Sequence, residues 1–143
     1  MIRNKHVFIT GGGSGIGRAI ALLFADEGAT VTITGRRSKA LEEVASERAN
    51  ISAFQMDVSN EKQVVSVISQ AVSQYGPIQV CVANAGIAEG KKLQNTDLDF
   101  WKKIMGTNLD GTFLTIRETM KSMLEAEWGR VIAISSIAGI KGL

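Results

Sequence analysis

The 143-residue sequence predicts an α/β fold, a Rossmann-like doubly wound parallel sheet with helices on both faces and an incomplete carboxyl-terminal edge. Three observations predict it. Five short runs rich in β-branched residues are continuous rather than alternating, as strands covered on both faces should be. Segments with helical spacing lie between those runs. A glycine-rich stretch joins the first run directly to the first helical segment, where such folds bind phosphate groups.

The elements follow in order. HVFIT at 6–10 is the first strand, and the helix after it carries Ile16, Ile20, Leu23 and Phe24 before Gly28 supplies a stop. TVTIT at 30–34 is the second strand, followed by a helix with Leu41, Val44 and Ala45. ISAFQM at 51–56 is the third; its helix carries Val64, Ile68, Ala71 and Tyr75, is capped by Ser59 or Asn60, and stops at Gly76-Pro77. IQVCVA at 78–83 is the fourth strand. A helical stretch with Phe100, Trp101 and Met105, expected in the core or at an interface, precedes a longer one with Phe113, Ile116, Met120, Met123 and Leu124. RVIAIS at 130–135 is the fifth strand. Each apolar stripe is expected to face the sheet, and the last strand to form a hydrophobic edge.

Composition narrows the function. A length of 143 residues suits one domain, residues 1–143, with a buried core. Sixteen basic and 14 acidic residues, net +2, are scattered and leave no nucleic-acid or membrane footprint. No apolar run approaches a membrane span and no signal-peptide core precedes Gly11, so a cytoplasmic protein is expected. One cysteine, Cys81, and one histidine, His6, make a transition-metal cluster an unsuitable reading.

In this architecture ligands sit beyond the carboxyl ends of the strands. After the first strand comes Thr10-Gly11-Gly12-Gly13-Ser14-Gly15-Ile16-Gly17, whose glycines let the backbone approach a pyrophosphate held by the following helix N-terminus. The strict G-x-G-x-x-G pattern fits no register of this stretch. A near-match to the P-loop fails because Arg18 and Ala19 replace the lysine and hydroxyl residue that nucleotide hydrolysis needs. G-x-G-x-G at Gly11, Gly13 and Gly15 leaves a methyl-donor enzyme as an alternative. After the second strand, Arg36 and Arg37 stand where a carboxylate would meet free ribose hydroxyls. Two guanidiniums suit a 2′-phosphate, which favours NADP, with NAD as the alternative.

These residues carry a resemblance to the short-chain dehydrogenase/reductase family. Thr10, Gly11, Gly15 and Gly17 match its T-G-x-x-x-G-x-G pattern, with Ser14 and Ile16 inside the same cofactor-binding stretch. Asp57-Val58 resembles its adenine-contacting segment, and Asn84-Ala85-Gly86 its N-A-G motif beside the cofactor. Asn108 in GTNLDGTF resembles its active-site asparagine, and Ser136 in Ile134-Ser135-Ser136 its catalytic serine. The departures Ala83, for the first Asn of N-N-A-G, and Gln79 touch no chemistry. The resemblance implies hydride transfer between a nicotinamide dinucleotide and a small-molecule carbonyl or alcohol, and a homo-oligomer, dimer or tetramer, for the complete protein. It also implies a Tyr-x-x-x-Lys pair about a dozen residues after Ser136, which this sequence does not contain; its only tyrosine is Tyr75. The expectation is therefore an inactive fragment of a longer reductase, with a non-catalytic dinucleotide-binding module as the alternative.

Overall fold

A computed structural model describes residues 2–141; Met1, Gly142 and Leu143, the ends of the expected 1–143 domain, lie outside the described residues. Five strands, β1 (His6–Thr10), β2 (Thr30–Gly35), β3 (Ile51–Gln55), β4 (Ile78–Ala83) and β5 (Arg130–Ala133), form one sheet in the order β3-β2-β1-β4-β5. Every neighbouring pair is parallel. The chain leaves β1 toward β2 on one side and returns to β4 on the other. The strand order therefore reverses between β1 and β4, where a crevice opens at the carboxyl ends.

Period-two alternation along the strands builds two separate cores. Val7, Ile9, Val31, Ile33, Val80 and Val82 face one side, packed with α1 (Gly15–Asp26) and α2 (Ser38–Ser46). Phe8 and Cys81 face the other, beneath α3 (Glu61–Tyr75) and α5 (Gly111–Glu125). A fully buried Val or Phe contributes roughly 1.5–3 kcal/mol, and β1, β2 and β4 are held in this way from both faces. Asn60 caps α3 by accepting from the Gln63 N–H. Gly28 (φ +83°) and Gly76 (φ +82°) follow the ends of α1 and α3, as their sequence positions predict. No helix among the described residues is long and apolar enough to cross a membrane.

Several expectations need correction. The helical stripes do not all face the sheet: Leu23 is 64% exposed and Leu124 72%, and Ile16, Tyr75, Phe113 and Met120 also lie outward. The reason is local. The sheet-facing side of α1 is Gly17, Ala21 and Ala25, which bring helix and strands close, and that of α5 mixes Leu114 and Met123 with Thr115, Thr119 and Ser122. The two threonine hydroxyls donate back to the Gly111 and Thr115 carbonyls, which is how α5 buries them without loss. Trp101 is 54% exposed on α4 (Leu98–Met105), a helix with no buried residue, so it is not a core residue. The third strand ends at Gln55 rather than Met56. The fifth ends at Ala133 rather than Ser135, although the Ile134 N–H still donates to the Ala83 carbonyl. Ser135 and Ser136 therefore lie beyond the strand, and strand alternation does not orient them. All four residues of β5 are exposed, as the expected bare edge requires.

Candidate active site

The carboxyl ends of β1, β2, β3 and β4 surround a cleft of about 390 Å³, within the size range of small-molecule and cofactor sites. Its floor is the glycine-rich loop, with Gly11, Ser14, Gly15 and Ile16 on its surface. Ile16 thus belongs to the cleft and not to the helix–sheet packing. Gly17 lies beneath: a Cβ there would stand 2.2 Å from the Gly11 carbonyl oxygen and 2.6 Å from Asn84 Nδ2, so only glycine lets α1 start so near the loop.

Thr10 is buried behind the loop and acts as a fastener. Its Oγ1 accepts from the backbone N–H groups of both Asn84 and Ala85, each at 3.0 Å. Asn84 Nδ2 donates in return to the Thr10 carbonyl at 2.9 Å and the Gly11 carbonyl at 3.3 Å. The turn after β4 is thereby tied to the turn after β1, and Asn84, Ala85 and Gly86 form the second wall. Ser14 occupies the N-cap position of α1 yet caps no N–H group. Its hydroxyl instead accepts from Arg37 Nη2 at 3.1 Å. The first-turn N–H groups of α1 are left without a side-chain cap at the cleft floor, an arrangement that favours an anion.

Arg36 and Arg37 form the third wall at the end of β2, with Asp57 and Val58 after β3 opposite. Asp57 Oδ1 accepts from both the N–H and the hydroxyl of Ser59, which fixes the carboxylate in a turn before α3. Val58 packs on Gly111, where a Cβ would come within 2.6 Å of its Cγ2. The glycine loop, the guanidiniums of Arg36 and Arg37, the second steered by Ser14, and a carboxylate fit the pyrophosphate, a phosphorylated ribose and an amino-bearing base of a dinucleotide.

Asn108 sits in a π-helical turn, Gly106–Asp110, between α4 and α5. Its Oδ1 accepts from the Ile87 N–H at 2.8 Å and its Nδ2 donates to the Ile87 carbonyl at 2.9 Å. That two-point clamp draws Thr107 and Ile87 onto the cleft wall, although Asn108 does not line it. Ser136 is exposed and caps the short 3₁₀ turn Ile137–Gly139 by accepting from the Ala138 N–H at 3.2 Å, which leaves its hydroxyl hydrogen free to donate. Ser136 likewise lies off the cleft. Tyr75 is remote: it stacks edge-on with His6 at the opposite, amino-terminal ends of the strands.

Gly13 of the loop lines the cleft too, and so do Gly35, Leu41, Met56, Ile87 and Thr107, none of which the sequence marked as a site residue. Most neighbour a residue that was, so adjacency was the available signal; Leu41 reaches the site only through the packing of α2.

A family model described as short chain dehydrogenase matches residues 5–143. An oxidoreductase of Staphylococcus aureus (strain MW2), itself described as uncharacterized, is 32% identical over 143 residues, which cover 99% of this chain and 62% of that protein. The 3-oxoacyl-(acyl-carrier-protein) reductase of Aquifex aeolicus (strain VF5) is 33% identical over 146 residues, covering 99% of this chain and 59% of that protein. The crystal structure of a short-chain type dehydrogenase/reductase from Mycobacterium marinum superposes with a TM-score of 0.95 at 31% identity, covering 99% of this chain and 60% of the other. This chain thus spans about 60% of the length of the relatives it matches. The match sets aside the methyl-donor alternative for the glycine loop. On these grounds the chain belongs to the short chain dehydrogenase family.

Proposed function

We propose that the protein is an NADP-dependent oxidoreductase that moves hydride between the nicotinamide and a small-molecule carbonyl or alcohol. The observation that carries the reading is the cleft that gathers the uncapped start of α1 together with Arg36 and Arg37, the latter reaching the Ser14 hydroxyl at 3.1 Å. The nicotinamide supplies or accepts the hydride when the dinucleotide is bound. The chain's own residues do the rest. Gly11, Ser14, Gly15, Ile16 and Gly17 receive the pyrophosphate, while Thr10 and Asn84 hold that loop in place. Arg36 and Arg37 pair with a 2′-phosphate, and Asp57 and Val58 border the adenine. Asn84, Ala85 and Gly86 flank the cofactor further along the cleft. Ser136 donates its free hydroxyl hydrogen to the substrate oxygen, and Asn108 keeps Ile87 and Thr107 at the wall.

With residues 1–143 read as one dinucleotide-binding domain, Ser136 has only the Ala138 N–H as a side-chain hydrogen-bond partner among the described residues, and Tyr75, the one phenol of the sequence, is at the far end of the sheet, where it cannot move the substrate proton. The 143-residue chain alone therefore binds dinucleotide without turnover. Steady NADPH oxidation with a carbonyl panel, by a sample of this mass, contradicts that. The complete protein works in the cytoplasm as a homo-oligomer, for which the exposed Phe113, Met120 and Leu124 of α5 supply an apolar contact face. Arg36→Asp tests the cofactor assignment: it weakens NADPH binding at least about tenfold more than NADH binding, and equal effects on the two titrations refute it.

A further inference from the structure

Arg36 and Arg37 are held very differently. Arg37 opens α2, its carbonyl accepts from the Leu41 N–H, and its guanidinium is steered by Ser14. The guanidinium of Arg36 takes part in no ion pair or hydrogen bond among the described residues, and the β2–β3 ladder closes just before it with Met56 N–H donating to the Gly35 carbonyl at 2.9 Å. One further contact fixes this residue: Gln55 Nε2 donates to the Arg36 carbonyl at 2.9 Å. Gln55 is exposed at the end of an edge strand, so its side chain buys no core burial. It borders a second cleft of about 420 Å³ with Arg36, Met56, Asp57 and Gln63, continuous with the first through the residues they share.

We infer that Gln55 is a positioning residue for cofactor discrimination: by pinning the Arg36 carbonyl it sets the direction in which the guanidinium leaves the β2–α2 turn. The inference rests on the proposed pairing of Arg36 with a 2′-phosphate. Without the Gln55 amide, the Arg36 carbonyl turns to water and the peptide gains rotational freedom that binding must then remove. The loss falls chiefly on the phosphorylated ligand, because an unphosphorylated ribose offers Arg36 only neutral hydroxyls in place of a charged, bidentate phosphate.

Gln55→Met keeps the length of the side chain and deletes the donor. In the intact protein, titrated with NADPH and NADH, this variant raises the Kd for NADPH roughly three- to tenfold, the worth of one neutral hydrogen bond, and changes the Kd for NADH by less than about twofold. Because Gln55 acts through Arg36, adding Gln55→Met to Arg36→Ala causes no further loss of NADPH affinity. A Gln55→Met variant that weakens both nucleotides alike, leaves both unchanged, or still acts in the Arg36→Ala background overturns the inference. If Arg36→Ala itself leaves NADPH binding intact, the underlying assignment of Arg36 fails instead, and the inference with it.

Discussion

Gly17→Ala is the sharpest test of how the cleft floor is built. A methyl group at Gly17 would lie 2.2 Å from the Gly11 carbonyl oxygen, 2.8 Å from its carbon and 2.6 Å from Asn84 Nδ2. Two of these three atoms are main chain, so no rotamer change relieves the overlap. The loop must move outward by about 1 Å, and Asn84 then loses its bonds to the Thr10 and Gly11 carbonyls. Overpacking costs roughly 1–3 kcal/mol and the displaced hydrogen bonds about 1 kcal/mol more. The variant should thus melt roughly 10 °C below the parent, followed by far-UV circular dichroism, and lose most NADPH affinity. Gly15→Ala is the control: its φ is +52° but nothing lies within 4 Å of the added methyl, so it costs only the left-handed backbone strain, about 1–2 kcal/mol. A Gly17→Ala variant that melts with the parent, or less far below it than Gly15→Ala does, refutes this packing argument.

Other consequences can be checked separately. Buried His6 faces the Gly76 carbonyl through Nδ1, which must carry the proton since a carbonyl only accepts, and Thr32 Oγ1 through Nε2, both at 2.8 Å. Burial holds its pKa below the ordinary 6.5, so the unfolded chain takes up the proton first. The His6 contribution is complete above 6.5 and is lost as pH falls from there toward the folded-state value, by up to about 1.4 kcal/mol per pH unit. Chemical denaturation of the parent and of His6→Asn between pH 8 and 5 should show the steeper loss in the parent, and parallel curves reject this. Cys81 is buried, and burial raises its thiol to about 11; at pH 7.5 it should react with a thiol reagent only in denaturant, and fast labelling of the native protein contradicts that. Asn108→Leu removes both ends of the Ile87 clamp, so exchange of the Ile87 amide hydrogen should accelerate about tenfold or more; unchanged protection argues that the clamp holds nothing.

The strands β1, β2 and β4 were legible because burial on both faces writes a continuous apolar run into the sequence, and β5 carries such a run although its four residues are exposed. All five begin at the residue expected from pattern alone, and only the ends of β2, β3 and β5 differ, at Gly35, Gln55 and Ala133. The helix faces were less legible. A stripe search finds the largest apolar residues, whereas α1 meets the sheet through Gly17, Ala21 and Ala25 and α5 through threonines that satisfy their own hydroxyls. Leu23 and Leu124 consequently point away from the side their hydrophobicity suggested. In the site, the loop glycines and both arginines were visible from their places just after β1 and β2, and the Asn84 turn and Asn108 from their motifs. The π-helical turn at Asn108 was not, since it depends on a contact with Ile87, 21 residues earlier. Gln55 was invisible for the same reason: its importance lies in a carbonyl that only the paired strands bring within reach.

The central claim is that the cleft holds NADP with its pyrophosphate over the start of α1 and its 2′-phosphate between Arg36 and Arg37. A crystal structure with NADP bound tests it most directly. The account predicts pyrophosphate oxygens within hydrogen-bond distance, about 3 Å, of the first N–H groups of α1, and both guanidiniums on the 2′-phosphate. Nucleotide bound elsewhere, or with its 2′-phosphate directed away from both arginines, would contradict it.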